Sequence, residues 1–559
     1  MKVSTITSDI LIIGGGSAGI MSALRAKEVN PSQKVVIFEK NHIKYSGSIP
    51  RGMDALNIVT IPGETTPEEY IEDVSLTCEG ILDEPASYEM AKRSWDLMQK
   101  LIKWGVYFPK YDGKYEIVKA HPKRGYTVTM QEPNLKTLLY ERLLLTDCIV
   151  FNRTMALELI VADGRVAGAV GINIRSGEIV VCQAKAVIIS AGGCSRFGMP
   201  DNNYLYGVFD YPANTGDGYN LAYKAGAQLT GFEYTQQGYL IKDSSSPLLY
   251  ITLTRGAQLL NAFDERLDTG HPSVKEMFQQ HNAGRGNMRI RMSHLPEEKI
   301  KSIEDILFST EKPICQRFFE GRNIDFRKDD IELGPTDTYL CGGHGITGIV
   351  INEKAESCVP GLYSAGDTAT VARGHLSGAF IFGEVAAEYA SEYVSSLKES
   401  DVDTKPALTT VVGKIESWQN NKGEISIEEY EFKTRRLIGD FLTSPKNEYK
   451  LNRGIETMEG LQQDLGETVG ITRVHDLIKA FEAENIIACG ILSATASRER
   501  RESRWGQYHY RSDYPKKDDE NFLKLVILEK GDNKKPVVTL RAPIKACLNE
   551  EKKGVTTNA

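Results

Sequence analysis

The stretch Asp9-Ile-Leu-Ile-Ile-Gly-Gly-Gly-Ser-Ala-Gly19 decides the fold of the amino-terminal region. Residues 9–13 are mostly apolar and β-branched, which predicts a buried strand. Residues 17–27 are rich in helix formers, which predicts a helix directly after the glycines. Gly14, Gly16 and Gly19 therefore occupy a G-x-G-x-x-G turn between a strand and a helix.

A second apolar run, at residues 34–38, ends at Glu39, 20 residues after the last motif glycine. In this register the glycines permit a tight turn, the close approach of a pyrophosphate and close packing of the helix on the strand. The helix begins at Ser17 and Ala18, so its exposed N–H groups face the phosphates. Glu39, which Lys40 follows, can accept hydrogen bonds from ribose hydroxyls. This combination predicts a dinucleotide-binding domain for FAD or NAD.

Length and charge restrict the possible classes of protein. The chain has 559 residues, which suggests three or four domains at about 100–200 residues each. Its net charge of −8 argues against nucleic acid or an anionic membrane as a partner. No apolar run approaches the ~20 residues that a membrane span needs. The run at residues 9–13 is too short for a signal segment, so we expect a cytoplasmic protein.

The cysteines exclude some redox chemistry. There are nine, and no two of them form a C-x-x-C pair. This pattern argues against a disulfide framework and against an iron–sulfur cluster built by this chain. We predict no metal site, and any electron relay beyond a cofactor would lie on another protein.

Later glycine segments favour FAD over NAD. A buried strand ends in glycines at residues 191–193, and Asn214-Thr-Gly-Asp-Gly218 opens a helix. Another strand ends in Gly-Asp at residues 366–367. A carboxylate at such a position can bind a ribitol hydroxyl, and a following helix can direct its N-terminus at the flavin. The expected FAD contacts here are Ala191, Gly192, Asn214, Asp217, Gly366 and Asp367.

Together these segments resemble the flavoprotein subunits of the succinate dehydrogenase, fumarate reductase and adenylylsulfate reductase superfamily. The resemblance covers almost the whole chain. It also includes Gly342-Gly-His-Gly-Ile-Thr-Gly348, Arg501-Glu-Ser-Arg504 and Arg511-Ser-Asp-Tyr-Pro515, which are similar to the superfamily's glycine loop and C-terminal signature. It implies redox chemistry at FAD without nicotinamide, with a capping domain that closes over the substrate.

The predicted fold class is α/β, with a Rossmann-type FAD-binding domain, an inserted α+β capping domain, a C-terminal helical domain and a terminal β-hairpin. We interpret the charged cluster at residues 498–504 as a packed, salt-bridged surface, with a contact face for a partner subunit as the alternative. The expected domains are the FAD-binding domain in two parts (1–238 and 341–400), the capping domain (239–340), the helical domain (405–515) and a C-terminal extension with the hairpin (516–559).

The loop Tyr45-Ser-Gly-Ser-Ile-Pro-Arg-Gly-Met-Asp-Ala-Leu-Asn57 is similar to the corresponding loop of adenylylsulfate reductase α subunits. Membrane-bound succinate dehydrogenases carry a histidine here that attaches covalently to FAD. Ser46 or a neighbour takes that place, and His42 is too early, so the resemblance implies non-covalent FAD. It adds Ser46, Gly47, Arg51 and Gly52 as FAD contacts and Asn57 as a substrate contact.

The resemblance also implies an anion site. His344 matches a histidine that binds substrate near the flavin, and Arg255 is similar to an arginine of the capping domain. A guanidinium suits a bidentate anion site but is a poor acid. His375 stands where the dicarboxylate enzymes carry a second arginine. We predict Arg255, His344 and His375 as catalytic, with Arg285 and Arg373 as further substrate contacts.

The predicted function is two-electron exchange between a small anionic substrate and FAD, with a separate ferredoxin-like iron–sulfur subunit as partner. The segment at residues 233–238 has lost the family's histidine. Because a charge-assisted hydrogen bond contributes roughly 1.5–3 kcal/mol, a site without that histidine and the second arginine binds a C4 dicarboxylate weakly. This favours an adenylylsulfate-reductase-like enzyme. The alternatives are a soluble fumarate reductase or succinate dehydrogenase-type enzyme acting on a carboxylate, and a non-catalytic electron-transfer flavoprotein.

Overall fold

The computed structural model describes residues 2–51, 53–118, 122–199, 210–244, 246–267, 274–311, 314–397, 402–419, 421, 423–533 and 535–546. Gly52, an expected FAD contact, lies outside these ranges. The strands are β1 Val3–Ile13, β2 Val35–Glu39, β3 Ala55–Leu56, β4 Lys110–Tyr111, β5 Lys114–Tyr115, β6 Ile117–Val118, β7 Thr127–Thr129, β8 Ile149–Asn152, β9 Thr154–Ala162, β10 Arg165–Asn173, β11 Ile179–Ile189, β12 Leu229–Thr230, β13 Tyr239–Ile241, β14 Gln258–Leu260, β15 Met288–Arg291, β16 Ile331–Pro335, β17 Gly348–Ile349, β18 Leu362–Ser364, β19 Leu525–Lys530 and β20 Pro536–Arg541.

The helices are α1 Ser17–Val29, α2 Pro67–Thr77, α3 Glu84–Lys103, α4 Leu135–Leu144, α5 Asp217–Lys224, α6 Leu249–Leu253, α7 Val274–Gln280, α8 Glu297–Ile306, α9 Ile314–Glu320, α10 His375–Ser396, α11 Lys405–Gln419, α12 Ile427–Leu442, α13 Glu448–Glu467, α14 Val474–Glu499 and α15 Asp519–Phe522. Within the ranges given above, no helix is both long and apolar enough to cross a membrane.

The largest sheet has the strand order β8-β2-β1-β11-β10-β9, and β18 also pairs with β11. β1 runs parallel to β2 and β11, whereas β9, β10 and β11 form an antiparallel meander. Ile10–Ile13 of β1 are buried, as their apolar run predicts. The carboxyl ends of β1, β2, β11 and β18 meet at one edge of this sheet, which is where ligands bind in open α/β folds. The predicted α/β fold is confirmed.

The glycine turn brings α1 very close to the sheet. Gly14 has a φ of +102°, a conformation that side chains with a Cβ rarely adopt. A Cβ on Gly19 would lie 1.9 Å from the Gly14 carbonyl oxygen. Only glycine permits this packing, and it places the N-terminus of α1 at the sheet edge. α1 then packs against α10.

Residues within the predicted capping domain form a second core. Strands β13, β16, β15 and β14 make a four-stranded antiparallel sheet in this order. Its inner face buries apolar side chains such as Met288, Ile290 and Leu333 in a cluster separate from the main core. Helices α11 to α14 follow as the helical region, and the predicted terminal hairpin forms from β19 and β20.

The prediction that residues 498–504 form a packed, salt-bridged surface is right about the ion pairs but wrong in placing the central members at the surface. Arg500 and Glu502 are 0% exposed and Arg504 is 2% exposed. Arg500 donates to Glu233 Oε1 at 2.9 Å and Arg504 to Glu502 Oε1 at 2.7 Å. The charges are buried because each guanidinium has a carboxylate partner, an arrangement that charge patterning alone does not reveal.

Candidate active site

A cavity of about 520 Å³ lies between the edge of the main sheet and the capping sheet. Its size is typical of cofactor and ligand sites. The residues that line it come from the glycine turn, the 47–57 loop, α5, α10 and the capping segment at residues 237–254. The predicted site residues on this lining are Gly14, Gly16, Ser17, Ala18, Glu39, Lys40, Gly47, Asn57, Ala191, Gly192, Asn214, Asp217, His344, Gly366, Asp367, Arg373 and His375.

One end of the cavity has the geometry of a pyrophosphate site. Gly16 borders open space, since the nearest atom to an added Cβ would be Gly47 Cα at 4.0 Å. α1 starts at Ser17, and no side chain caps this N-terminus. An uncapped helix N-terminus beside a space that a methyl group would enter suits a phosphate group.

Glu39 is fixed in place for ribose recognition. Its Oε2 accepts from the Gly15 N–H at 2.7 Å, and its Oε1 accepts from the Asn41 N–H at 2.7 Å. The side chain is buried yet lines the cavity. Each carboxylate oxygen can accept more than one hydrogen bond, so both oxygens retain capacity for ribose hydroxyls.

Lys40 belongs to a buried ion network behind the cavity. Its Nζ lies 2.7 Å from Asp217 Oδ2 and 3.1 Å from Glu482 Oε1. Burial alone would lower the pKa of Lys40, but these carboxylates raise it. Burial would raise the pKa of Glu482, yet Lys40 and Arg196 lower it to about 2. The network is therefore fully charged, and Lys40 orients Asp217 at the start of α5.

The 45–57 loop contains an unsatisfied buried hydroxyl. Ser46 is 1% exposed, and its Oγ has no hydrogen-bond partner. The neighbouring Gly47, with a φ of +83°, would place a Cβ 3.1 Å from Gly16 Cα, so the loop lies directly on the glycine turn. His42 is next to Tyr45 and Tyr140 and does not line the cavity. An orphaned hydroxyl and a close glycine contact fit a bound FAD.

The other end of the cavity has a group of basic side chains, which we call the anion site: His344, Arg373 and His375. His344 Nδ1 and His375 Nδ1 are 3.1 Å apart. Arg373 is deeply enclosed by protein and exposes part of its surface to the cavity. The structure therefore brings together two predicted catalytic residues and one predicted substrate contact.

Arg373 lies among neutral groups. It donates to the Tyr234 hydroxyl, and Cys78, Tyr508 and Tyr70 are nearby. Burial raises the pKa of Cys78 to about 12, although Arg373 opposes this, so the thiol stays neutral. Among the described residues Arg373 forms no ion pair with a carboxylate. An enclosed guanidinium without a counter-ion is costly unless an anion binds it.

The backbone of the anion site is unusual. Arg373 and His375 have positive φ values of 52° and 48°, which residues other than glycine rarely adopt. Two backbone hydrogen bonds hold this segment: Arg373 N–H donates to the Gly345 carbonyl and His375 N–H to the Gly343 carbonyl. Strain of this kind is concentrated at functional sites.

Two arginines that were predicted to contact the substrate lie outside the anion site. Arg255 does not line the cavity: it donates to the Ile251 carbonyl at 3.0 Å and lies 3.5 Å from Glu116 Oε1. Arg285 forms a surface ion pair with Glu265. Both are arginines of the capping segment, and sequence similarity located them in the chain but could not give the direction of their side chains.

Sequence reasoning missed several neighbours of the anion site. Tyr234 and Tyr508 meet Arg373 only through tertiary packing, since they precede and follow it by more than 130 residues. A cluster of Asp210, Cys341 and Asp367 brings possible ligand atoms within 4.8 Å of one another. No sequence motif signals that cluster, and the absence of a metal stays a prediction.

The parallel sheet edge, the open glycine turn and the anchored Glu39 define a dinucleotide-binding protein with a second, smaller sheet beside the site. Comparison with known proteins identifies the family. A family model described as an FAD binding domain matches residues 9–380, and one described as the fumarate reductase flavoprotein C-terminus matches residues 436–551. The chain belongs to this family of FAD-dependent oxidoreductases, as predicted, and FAD is its cofactor.

Individual relatives match over nearly the whole chain. An uncharacterised FAD-dependent oxidoreductase of Methanocaldococcus jannaschii is 25% identical, covering 92% of this chain and 95% of the relative. A fumarate reductase flavoprotein subunit of Mycobacterium tuberculosis is 24% identical, with coverages of 93% and 94%. Adenylylsulfate reductase of Archaeoglobus fulgidus superposes with a TM-score of 0.87 at 22% identity, covering 97% of each chain. A quinol fumarate reductase chain of E. coli gives 0.82 at 18% identity, covering 98% of each chain.

Proposed function

We propose that this FAD-dependent oxidoreductase exchanges two electrons between FAD and a small oxyanion bound by Arg373, His344 and His375. The observation that carries the proposal is Arg373, an enclosed guanidinium without a carboxylate partner that lines the same cavity as the glycine turn. A carboxylate or a sulfur oxyanion is the ligand that a guanidinium binds best, because its oxygens match two parallel N–H donors.

The histidines add a group that can hold a proton. Because their Nδ1 atoms are 3.1 Å apart, one nitrogen donates and the other accepts. The accepting ring must be neutral, so the pair holds at most one positive charge while this hydrogen bond persists. An imidazolium in this pair stabilises negative charge that develops on the substrate and can supply a proton, whereas the neutral pair can accept one.

FAD supplies the two-electron chemistry when it is bound. Gly16 and the N-terminus of α1 would hold its pyrophosphate, and Glu39 would bind its ribose. We propose that the attachment is non-covalent. By the resemblance, Ser46 or a neighbour takes the place of the linking histidine, and His42 lies outside the cavity lining.

We also propose a separate iron–sulfur subunit as the electron partner. The described cysteines form no disulfide, and the sequence contains no C-x-x-C pair of the kind that commonly holds an iron–sulfur cluster. Several relatives are named as flavoprotein subunits, which supports a role in a larger assembly.

The experiment is anaerobic flavin spectroscopy with a panel of anions. Succinate and sulfite with AMP serve as electron donors that bleach the oxidised flavin, and adenylyl sulfate, fumarate and other 2-enoates serve as acceptors that restore its colour after reduction. We expect at least one anion to change the flavin redox state. If every anion leaves both the oxidised and the reduced spectrum unchanged, the proposed function is wrong. Release of all FAD by acid supports non-covalent attachment, and flavin that stays with the precipitate contradicts it.

A further inference from the structure

The side of the cavity that the capping segment forms is apolar, and this limits the class of substrate that fits there. Five apolar residues line it and together form what we call the apolar wall: Leu240, Pro247, Leu248, Leu249 and Val274. Leu240 and Leu248 are buried, whereas Leu249 is half-buried. The other described residues of the capping segment on the lining, such as Tyr239, Thr254 and Thr336, are uncharged.

Arg255, the cation of the capping segment that was predicted to be catalytic, is engaged elsewhere. Its Nε lies 3.3 Å from Ser302 Oγ, and its guanidinium faces Ile251 and Glu116. The adjacent Thr254 lines the cavity, so the chain turns the arginine away from it. The described residues of the capping segment therefore present no charge to a ligand.

The charges on the rest of the lining disfavour a second substrate anion. Glu39, Asp54, Asp217 and Asp367 are carboxylates on the described lining. The lysine there, Lys40, is paired with Asp217 and Glu482. Arg373 is thus the arginine or lysine on the described lining without a carboxylate partner, and on the capping side a second anionic group of the substrate would meet the apolar wall.

We propose that the substrate is an amphipathic monoanion: one carboxylate bound at the anion site, and an apolar organic group against the apolar wall. This inference rests on the proposed function, because it assumes that an oxyanion binds Arg373. It excludes dicarboxylates as preferred ligands, because burying a second carboxylate against leucine side chains leaves a charge without a partner. It also disfavours nucleotide substrates, whose phosphates add further charge.

The test is a binding titration of the oxidised holoprotein, followed by the shift in flavin absorbance. The probes are crotonate and cinnamate, which carry one carboxylate, and fumarate, which carries two. We expect the monoanions to bind at least tenfold more tightly than fumarate, a difference of about 1.4 kcal/mol. Fumarate that binds as tightly as crotonate or cinnamate, or more tightly, overturns the inference while leaving the proposed function intact. No spectral response to crotonate or cinnamate also overturns the inference, whereas the proposed function falls only if no anion of the redox panel changes the flavin spectrum.

A substitution in the apolar wall gives an independent readout. Leu249→Arg places a cation on the wall, and Leu249→Gln is the uncharged control of similar size. We expect Leu249→Arg to tighten fumarate binding at least tenfold and to weaken cinnamate binding, whereas Leu249→Gln weakens cinnamate without a gain for fumarate. If Leu249→Arg changes the affinities for fumarate and cinnamate by the same factor, the wall does not select the substrate and the inference is wrong.

Discussion

Gly16 and Gly19, the second and third glycines of the motif, allow a matched test of how FAD is bound. Gly16 has φ −70° and ψ −160°, which alanine can adopt. A Cβ there would enter open space, with Gly47 Cα the nearest atom at 4.0 Å. A Cβ on Gly19 would instead collide with the Gly14 carbonyl oxygen at 1.9 Å and Ser190 Oγ at 2.9 Å.

These distances predict opposite effects on the protein without cofactor. Gly16→Ala should leave its folding stability unchanged or raise it by about 0.4–1 kcal/mol, because alanine restricts the unfolded chain. Gly19→Ala forces α1 away from the sheet, and overpacking of this kind costs about 1–3 kcal/mol or more. Thermal unfolding of the apoprotein measures both changes.

Gly16→Ala should weaken the binding of FAD although it does not destabilise the apoprotein. In Gly16→Ala the methyl group occupies space against which the pyrophosphate packs. A cost of about 1–3 kcal/mol corresponds to a roughly 5- to 150-fold weaker Kd for FAD. The assay is titration of apoprotein with FAD, followed by flavin fluorescence. If Gly16→Ala binds FAD as tightly as the wild type while remaining folded, the pyrophosphate does not approach Gly16 and this account of the site is wrong.

Three further outcomes concern the charges that the fold buries. Lys40→Met should lower the free energy of unfolding by about 3–5 kcal/mol, because it leaves Asp217 and Glu482 without their lysine, and denaturant unfolding measures this loss. Arg500→Met should cost a similar amount, whereas the exposed neighbour Arg501→Met should stay within about 0.5 kcal/mol, and equal effects would contradict the burial of Arg500. Burial lowers the pKa of Lys446 from 10.5 to about 7, although Glu233 opposes this shift. Between these two pH values the unfolded chain therefore binds one more proton than the folded chain, so the free energy of unfolding rises with pH. Lys446→Met should remove that part of the rise, and an unchanged pH dependence of unfolding would refute the shift.

Local sequence patterns predicted the secondary structure around the glycine turn correctly. The strand, the glycine turn and the helix lie within 27 residues. Their geometry follows from the residue types: β-branched residues in β1, glycines where a Cβ would collide with neighbouring atoms, and helix formers in α1. The same is true of the terminal hairpin around residues 531–533.

The anion site was harder to predict because it depends on side-chain directions. His344 and His375 were found through glycine-rich segments, and their Nδ1 contact was not visible in the sequence. Arg255 was given the leading role because it lies in a family-like segment, but Glu116, far away in the chain, holds its guanidinium. Arg373 was ranked below it, and its importance follows from neutral neighbours that only tertiary packing assembles.

The assignment of the substrate cation to Arg373 rather than Arg255 is tested most directly by one spectroscopic comparison. The wild type, Arg373→Met, Arg373→Lys and Arg255→Met are each loaded with FAD and titrated with the anion that gives the largest change in flavin absorbance. We predict that Arg373→Met loses the response, that Arg373→Lys keeps a weakened one, and that Arg255→Met responds like the wild type. Loss of the response in Arg255→Met, with an unchanged response in Arg373→Met, would contradict the account.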